Sequence, residues 1–203
     1  MSLIDLAAVI QGLVGGSAAV LVWEAFLKPA REKRSLANVL KEEVGHNLQY
    51  AIGQRVRHDR NPAEFPADFR MSTITFDAVA ARLGELSEHV GPIHLLYRRL
   101  DLLNRSAEQW PTLRAKYEHA CREGDLAGAQ MENNRLVAFL QTFRNELDAV
   151  AIECHALLPR LWLDSLTHFA LSKRRAVAAL PSLAALRERS ETDSKKLDRG
   201  PAA

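Results

Sequence analysis

The chain has 203 residues, of which 47% are hydrophobic and 26% charged, with a formal net charge of +2 and two cysteines. So even a balance, with no recognisable binding motif and no basic strand interleaved with aromatics, argues against nucleic acid as a partner. Cys121 and Cys154 are isolated thiols at no paired or zinc-binding spacing, which suits a reducing compartment.

Residues 6–23 carry no charge at all. As a helix rising ~1.5 Å per residue they cover roughly 27 Å, just short of a ~30 Å hydrocarbon core. Leu3, Ile4, Phe26 and Leu27 extend the apolar length, Trp23 stands where an interfacial aromatic belongs, and Lys28, Arg31, Lys33 and Arg34 follow. The pattern predicts a short outward tail over 1–5, a single transmembrane anchor over 6–27 and a cytoplasmic body at the inner membrane of a bacterium. A cleavable signal peptide would need a basic segment before the apolar run, and an in-plane amphipathic helix would need a charged face; neither is present. A buried core helix of a soluble protein remains the rival reading. Within the span, Ala8, Gly12 and Gly16 recur every four residues and make a small-residue face suited to helix association, with Gln11 beside it. That face predicts homo-oligomerisation through the anchor, with the helical seams of the body as the alternative contact.

Residues 28–186 read as one all-α domain, because Pro and Gly fall mostly between apolar-periodic segments. Leu36, Leu40, Val44, Leu48, Ile52 and Val56 repeat every four residues, with Val39 and Ala51 broadening the stripe. Each step overshoots a turn by ~40°, so the stripe winds and should meet more than one neighbour. Asn61–Pro66 then breaks the helix. Phe76, Val79, Leu83, Leu86, Val90, Ile93, Tyr97 and Leu100 alternate three and four apart, a heptad seam that Gly91-Pro92 should break or kink. A second seam runs through Leu136, Leu140, Phe143, Leu147, Val150, Cys154, Leu157 and Leu161, and Arg144 and Asp148 lie off it. Between the seams, Arg122-Glu123-Gly124-Asp125 reads as a tight helix–helix turn, Gly ending one helix and Asp capping the next. Two such seams predict an antiparallel bundle with coiled-coil-like packing. A further apolar helix is expected after Pro159, and a mobile charged tail over 187–203.

Charge is unevenly spread. Residues 28–60 hold eight Lys/Arg against four Asp/Glu, and residues 159–203 hold nine against five, with an acidic stretch between. Lys173, Arg174 and Arg175 would suit docking on an anionic leaflet, against the plain reading of a solvated face.

Recognisable catalytic motifs are absent: no phosphate loop, nucleophile elbow or His-Glu-x-x-His occurs. Glu43-Val-Gly-His46 has the Glu-x-x-His spacing of di-iron bundles, yet no second copy exists, so no cofactor or metal is assigned. Glu43, Asn47, Tyr97 and Asn104 lie on or beside apolar stripes; buried, they would need each other or backbone partners and would serve to align helices. The run Leu40–Asn47 with Phe76-Asp-Ala, Leu83-Gly-Glu-Leu86, Tyr97-Arg-Arg-Leu100 and Asn104 resembles a loose group of uncharacterised bacterial single-pass membrane proteins. That resemblance implies an N-terminal anchor and a helical cytoplasmic region, and no activity or ligand. The function expected is a non-catalytic, membrane-anchored interaction or scaffold protein with the lipid bilayer and an unidentified protein as partners. The rivals are a protein whose basic C-terminal helix acts on the leaflet, and a cryptic metal-dependent bundle enzyme.

Overall fold

The four-residue repeat that begins at Leu36 folds as one long helix, α1 (Lys28–Arg60), entered without a break from a π-helical turn at Trp23–Leu27. The structure, a computed structural model, describes residue 20 and residues 23–61, 65–66, 68–86, 89–165 and 181–198. Their regular structure is all helical: after α1 come α2 (Ile74–Val79), a 3-10 segment (Ala80–Leu86), α3 (Val90–Arg122), α4 (Leu126–Ser165) and α5 (Leu183–Asp198).

The winding of the α1 stripe decides its packing. Leu36, Leu40, Val44, Leu48, Ile52 and Val56 are all buried, joined by Ala37 and Ala51, and the drift carries them from α4 around to residues 69–86. Val39 does not broaden the stripe; it is exposed, because the winding turns that side of the helix to solvent. α4 is the central helix, packing along both α1 and α3. It runs antiparallel to α1, since Gly45 faces Leu158 while Asp59 reaches Arg144. It also runs antiparallel to α3, as a hairpin requires.

That hairpin turns where Gly124 adopts φ +73°, a left-handed conformation that an L side chain resists. The Asp125 N–H donates to the Ala120 carbonyl and the Gly124 N–H to that of Cys121, the two bonds of a Schellman ending. Asp125 Oδ1 then accepts from the Gly128 N–H at 2.9 Å and caps α4.

Several expectations are corrected. The first heptad seam is not one helix: Phe76 and Val79 lie on α2, Leu83 and Leu86 on the 3-10 segment, and only from Val90 onward does α3 carry it. Of the break or kink expected at Gly91-Pro92, the structure has the break: a new helix, α3, starts at Val90, and the pair sits in its first turn, where proline's missing N–H has no intrahelical acceptor to lose. Pro159 does not begin a new helix. α4 runs through it to Ser165, held by Leu157 and Leu161, buried on either side. On the second seam Leu140 is only half-buried, while its other members are buried.

Of the mobile tail expected over 187–203, residues 187–198 are instead part of α5, and 199–203 lie outside the described residues. Leu183 and Leu186 pack against the core, and the Arg187 guanidinium donates to Asp148 at 2.5 Å. Two apolar residues three apart and one ion pair dock a helix whose outer face has no apolar period. The expected tail 1–5, most of the anchor over 6–27, and Ala8, Gly12 and Gly16 lie outside the described residues, as do Lys173, Arg174 and Arg175. Among the described residues no helix is long and apolar enough to cross a membrane.

Candidate functional site

Polar side chains in the core converge on residues 71–76, the stretch that leads into α2. Glu43 and Asn47 are one turn apart on the buried side of α1, and Tyr97 and Asn104 are two turns apart on α3. Asn47 forms a two-way bond with the Ser72 backbone: its Nδ2 donates to the carbonyl at 2.8 Å and its Oδ1 accepts from the N–H at 2.9 Å. Asn104 does the same to Met71, accepting from its N–H at 2.7 Å and donating to its carbonyl at 3.0 Å. Each amide imitates the ladder of a neighbouring β-strand, so an irregular segment has its backbone groups satisfied from both flanks.

Glu43 completes the clamp. Its Oε1 accepts from Ser72 Oγ at 2.7 Å and the Thr75 N–H at 2.9 Å; its Oε2 accepts from Tyr97 Oη at 2.5 Å and the Phe76 N–H at 3.1 Å. The two amides belong to the first turn of α2, so a carboxylate from another helix serves as its cap, placed where the helix dipole favours negative charge. Phe76 stacks on Tyr97 with centroids 4.1 Å apart and shields the pair. Burial pushes the Glu43 pKa upward, but bonds from Tyr97, Ser72, Thr75 and Phe76 outweigh it and hold the carboxyl below its ordinary 4.5. Burial and the same bond raise the Tyr97 phenol, which stays protonated and donating.

Four donors on four lone-pair directions leave this carboxylate no free acceptor. The structure brings together all four polar residues singled out in the sequence, and their geometry aligns chain segments. Ser72 and the 71–76 backbone were not foreseen; a lone Ser between Met71 and Thr73 carries no periodic signal. The Glu43/His46 pair does not converge, since His46 is exposed and lies beside Tyr50. Among the described residues no group of three or more His, Cys, Asp or Glu could hold a metal ion. Cys154 is fully buried on the α4 seam, and burial pushes its thiol up to about 12.

A second polar cluster was missed because its members lie on different elements. Arg55 pairs with Asp59 on its own helix and with Asp148 of α4 at 3.1 Å. Arg144 joins Asp59 at 3.0 Å, and Arg187 of α5 joins Asp148. Three guanidiniums thus share two carboxylates. On the opposite side of α4, Arg99 bridges Glu146 at 2.6 Å and Glu153 at 3.0 Å.

The basic residues after the apolar run lie at the start of α1. Lys28 is exposed and bonded to Glu24 at 2.9 Å, Arg31 is exposed, and Lys33 and Arg34 are half-buried. Among the described residues, buried core positions begin at Leu36. Compared with family models, with curated proteins and with solved structures, the chain matches none.

Proposed function

We propose that this protein is a membrane-anchored helical platform without catalytic activity, held at the inner face of a bacterial membrane and assembling with itself and a protein partner. One observation carries the reading. The helical path is continuous from Trp23 to Arg60, and its first turns, Lys28–Arg34, present basic side chains outside the core, ahead of Leu36, the first buried position among the described residues. A helix leaving the uncharged run 6–23 would therefore carry its positive charge at the level of anionic headgroups and then become a structural member of the bundle. The saturated Glu43 carboxylate supports a scaffolding role, because the most elaborate polar cluster uses its hydrogen-bonding capacity on the protein's own backbone. The small-residue face Ala8, Gly12 and Gly16 is the surface proposed for self-association.

Reporter fusions at Ser2 and Ala203 test the topology, with carbonate extraction of the full chain as the membrane assay. Opposite sides for the two reporters and retention in the membrane pellet are expected. A chain that extracts as a soluble protein, or whose C-terminus reports the outer side, overturns the reading.

A further inference from the structure

The α3–α4 hairpin has a second side, turned away from α1, that no described element covers. Leu95 and Leu102, seven apart on α3, and Ile152 on α4 are each 56% exposed there. On α4, Met131, Ala138, Asn145 and Ile152 follow one another every seven residues, and all are exposed. Ala149 and Ala156 stand four residues after Asn145 and Ile152, which completes the spacing of a heptad seam. The other seam of α4, from Leu136 to Leu161, already faces the bundle. A helix with two seams packs on both sides, and among the described residues only one of the two is covered.

The size of the open face suits a second helical hairpin. From Met131 to Ala156 the seam is ~38 Å long, and two helices side by side are ~20 Å wide. Covering it in two copies removes on the order of 1,500 Å² of surface, within the ~1,200–2,000 Å² of stable complexes. Leu95, Leu102, Ser106 and Thr142 line an open groove of about 430 Å³ along its middle, into which a facing seam can set its side chains.

Charge selects how two copies meet. Residues 92–106 of α3 carry Arg98, Arg99 and Arg105 against Asp101, a net +2. Residues 142–156 of α4, beside them, carry Arg144 against Glu146, Asp148 and Glu153, a net −2. A two-fold axis across the helices would lay α3 on α3 and α4 on α4, like charge on like. An axis along the helices lays α3 on the other copy's α4, positive on negative, with both hairpins pointing the same way. Arg99 fixes the register, because it bridges Glu146 and Glu153 and so stands between them in height. Leu95, one turn toward Glu153, then meets the partner's Ile152 and Ala156, and Leu102 meets the partner's Asn145 and Ala149.

We propose that this face joins two copies of the chain as a four-helix bundle, α3 of each against α4 of the other. Such a dimer gives the self-association proposed above, on which it rests, a surface in the body of the protein. It also places the starts of both α1 helices at one end, as two anchors in one membrane require.

Disulfide trapping of the full-length protein in unfractionated cells tests the dimer. Cys121→Ser removes the exposed native thiol, and Cys154 is buried. Two differently tagged copies are co-expressed, one with Leu95→Cys and the other with Ile152→Cys, and oxidised with copper phenanthroline. A disulfide-linked dimer bearing both tags is expected, roughly tenfold more abundant than from Leu95→Cys with Leu126→Cys, the collision control. Leu126 is 84% exposed and lies at the far tip of the hairpin. Leu102→Arg in both copies should cut the adduct roughly tenfold, because it buries a guanidinium in the seam. Each substituted leucine or isoleucine is exposed, so the chain itself tolerates the change, and circular dichroism checks this. Equal trapping with Leu126→Cys, or an adduct indifferent to Leu102→Arg, overturns the proposal. So does a stronger adduct between two Leu95→Cys copies, which means that α3 lies on α3. A chain that extracts as soluble yet gives the adduct keeps the dimer and loses the anchor. A chain retained in the membrane without the adduct overturns the dimer alone.

Discussion

Two buried polar side chains on the same helix meet opposite fates. Glu43 lies where α1 faces residues 71–76 and receives four donors; His58, fifteen residues on, lies where α1 runs out, and its two buried ring nitrogens have no hydrogen-bond partner among the described residues. Elements crowd around the first and leave the second beside an open cleft. A buried polar group with every bond made fixes the position of the chain around it, whereas one without partners is a cost that something else must offset. The clamp is thus an internal structural joint, whereas His58 contributes no such joint.

Substitution at Glu43 should give the largest effect. Glu43→Ala strands the hydroxyls of Ser72 and Tyr97 and two first-turn amides of α2, and should cost roughly 3–5 kcal/mol in denaturant melts of the full chain in detergent. A loss below about 1 kcal/mol would mean water replaces the carboxylate and the clamp is ornamental. Leu147→Ala provides an apolar yardstick on the α4 seam, where Leu147 is 1% exposed, and should cost roughly 2–5 kcal/mol. Asn104→Ala removes one two-way bond at a half-buried site and should cost roughly 1–3 kcal/mol. His58→Leu reverses the trend: it removes a group that has no partner, so stability should hold within about 1 kcal/mol or rise. A loss as large as that of Glu43→Ala would show that His58 is bonded after all.

Acid should separate the two sites by pH. The folded pKa of His58 is lowered from 6.5, first by burial, then by Arg144 and Arg55, with Asp59 and the residue's own backbone opposing. The unfolded chain therefore takes up a proton before the folded one does. Its contribution to stability is full above 6.5 and is lost as pH falls from there toward the lowered value. Glu43, also lowered on folding, contributes above 4.5 and loses that contribution as pH falls further, through its folded value. Chemical melts across pH should show both steps, with His58→Leu removing only the upper one. If His58→Leu leaves the upper step intact, another group is responsible for it.

Much of this arrangement was legible from residue spacing. The winding stripe on α1, the α4 seam and the Gly124–Asp125 turn follow from helix geometry and backbone preference, and all three are local. Glu43, Asn47, Tyr97 and Asn104 could be singled out because polar groups beside apolar stripes must find partners. Their actual partners are backbone atoms of an irregular segment, and no periodicity describes that. Asp148 and Arg144 read as surface residues off the seam, yet they join three helices. Ion pairs between elements distant in sequence leave no pattern along the chain. The docking of α5 by Leu183, Leu186 and Arg187 escaped notice for the same reason.

Hydrogen exchange at residues 71–76, in the full-length protein and in Asn104→Ala, tests the clamp most directly. The amides of Met71, Ser72, Thr75 and Phe76 each donate to a clamp side chain. They should exchange as slowly as the centre of α4 although only Thr75 and Phe76 belong to a helix, and Asn104→Ala should release Met71 first. If these four amides exchange at the rate of an exposed loop in the unmodified protein, the clamp does not hold the segment and the account fails.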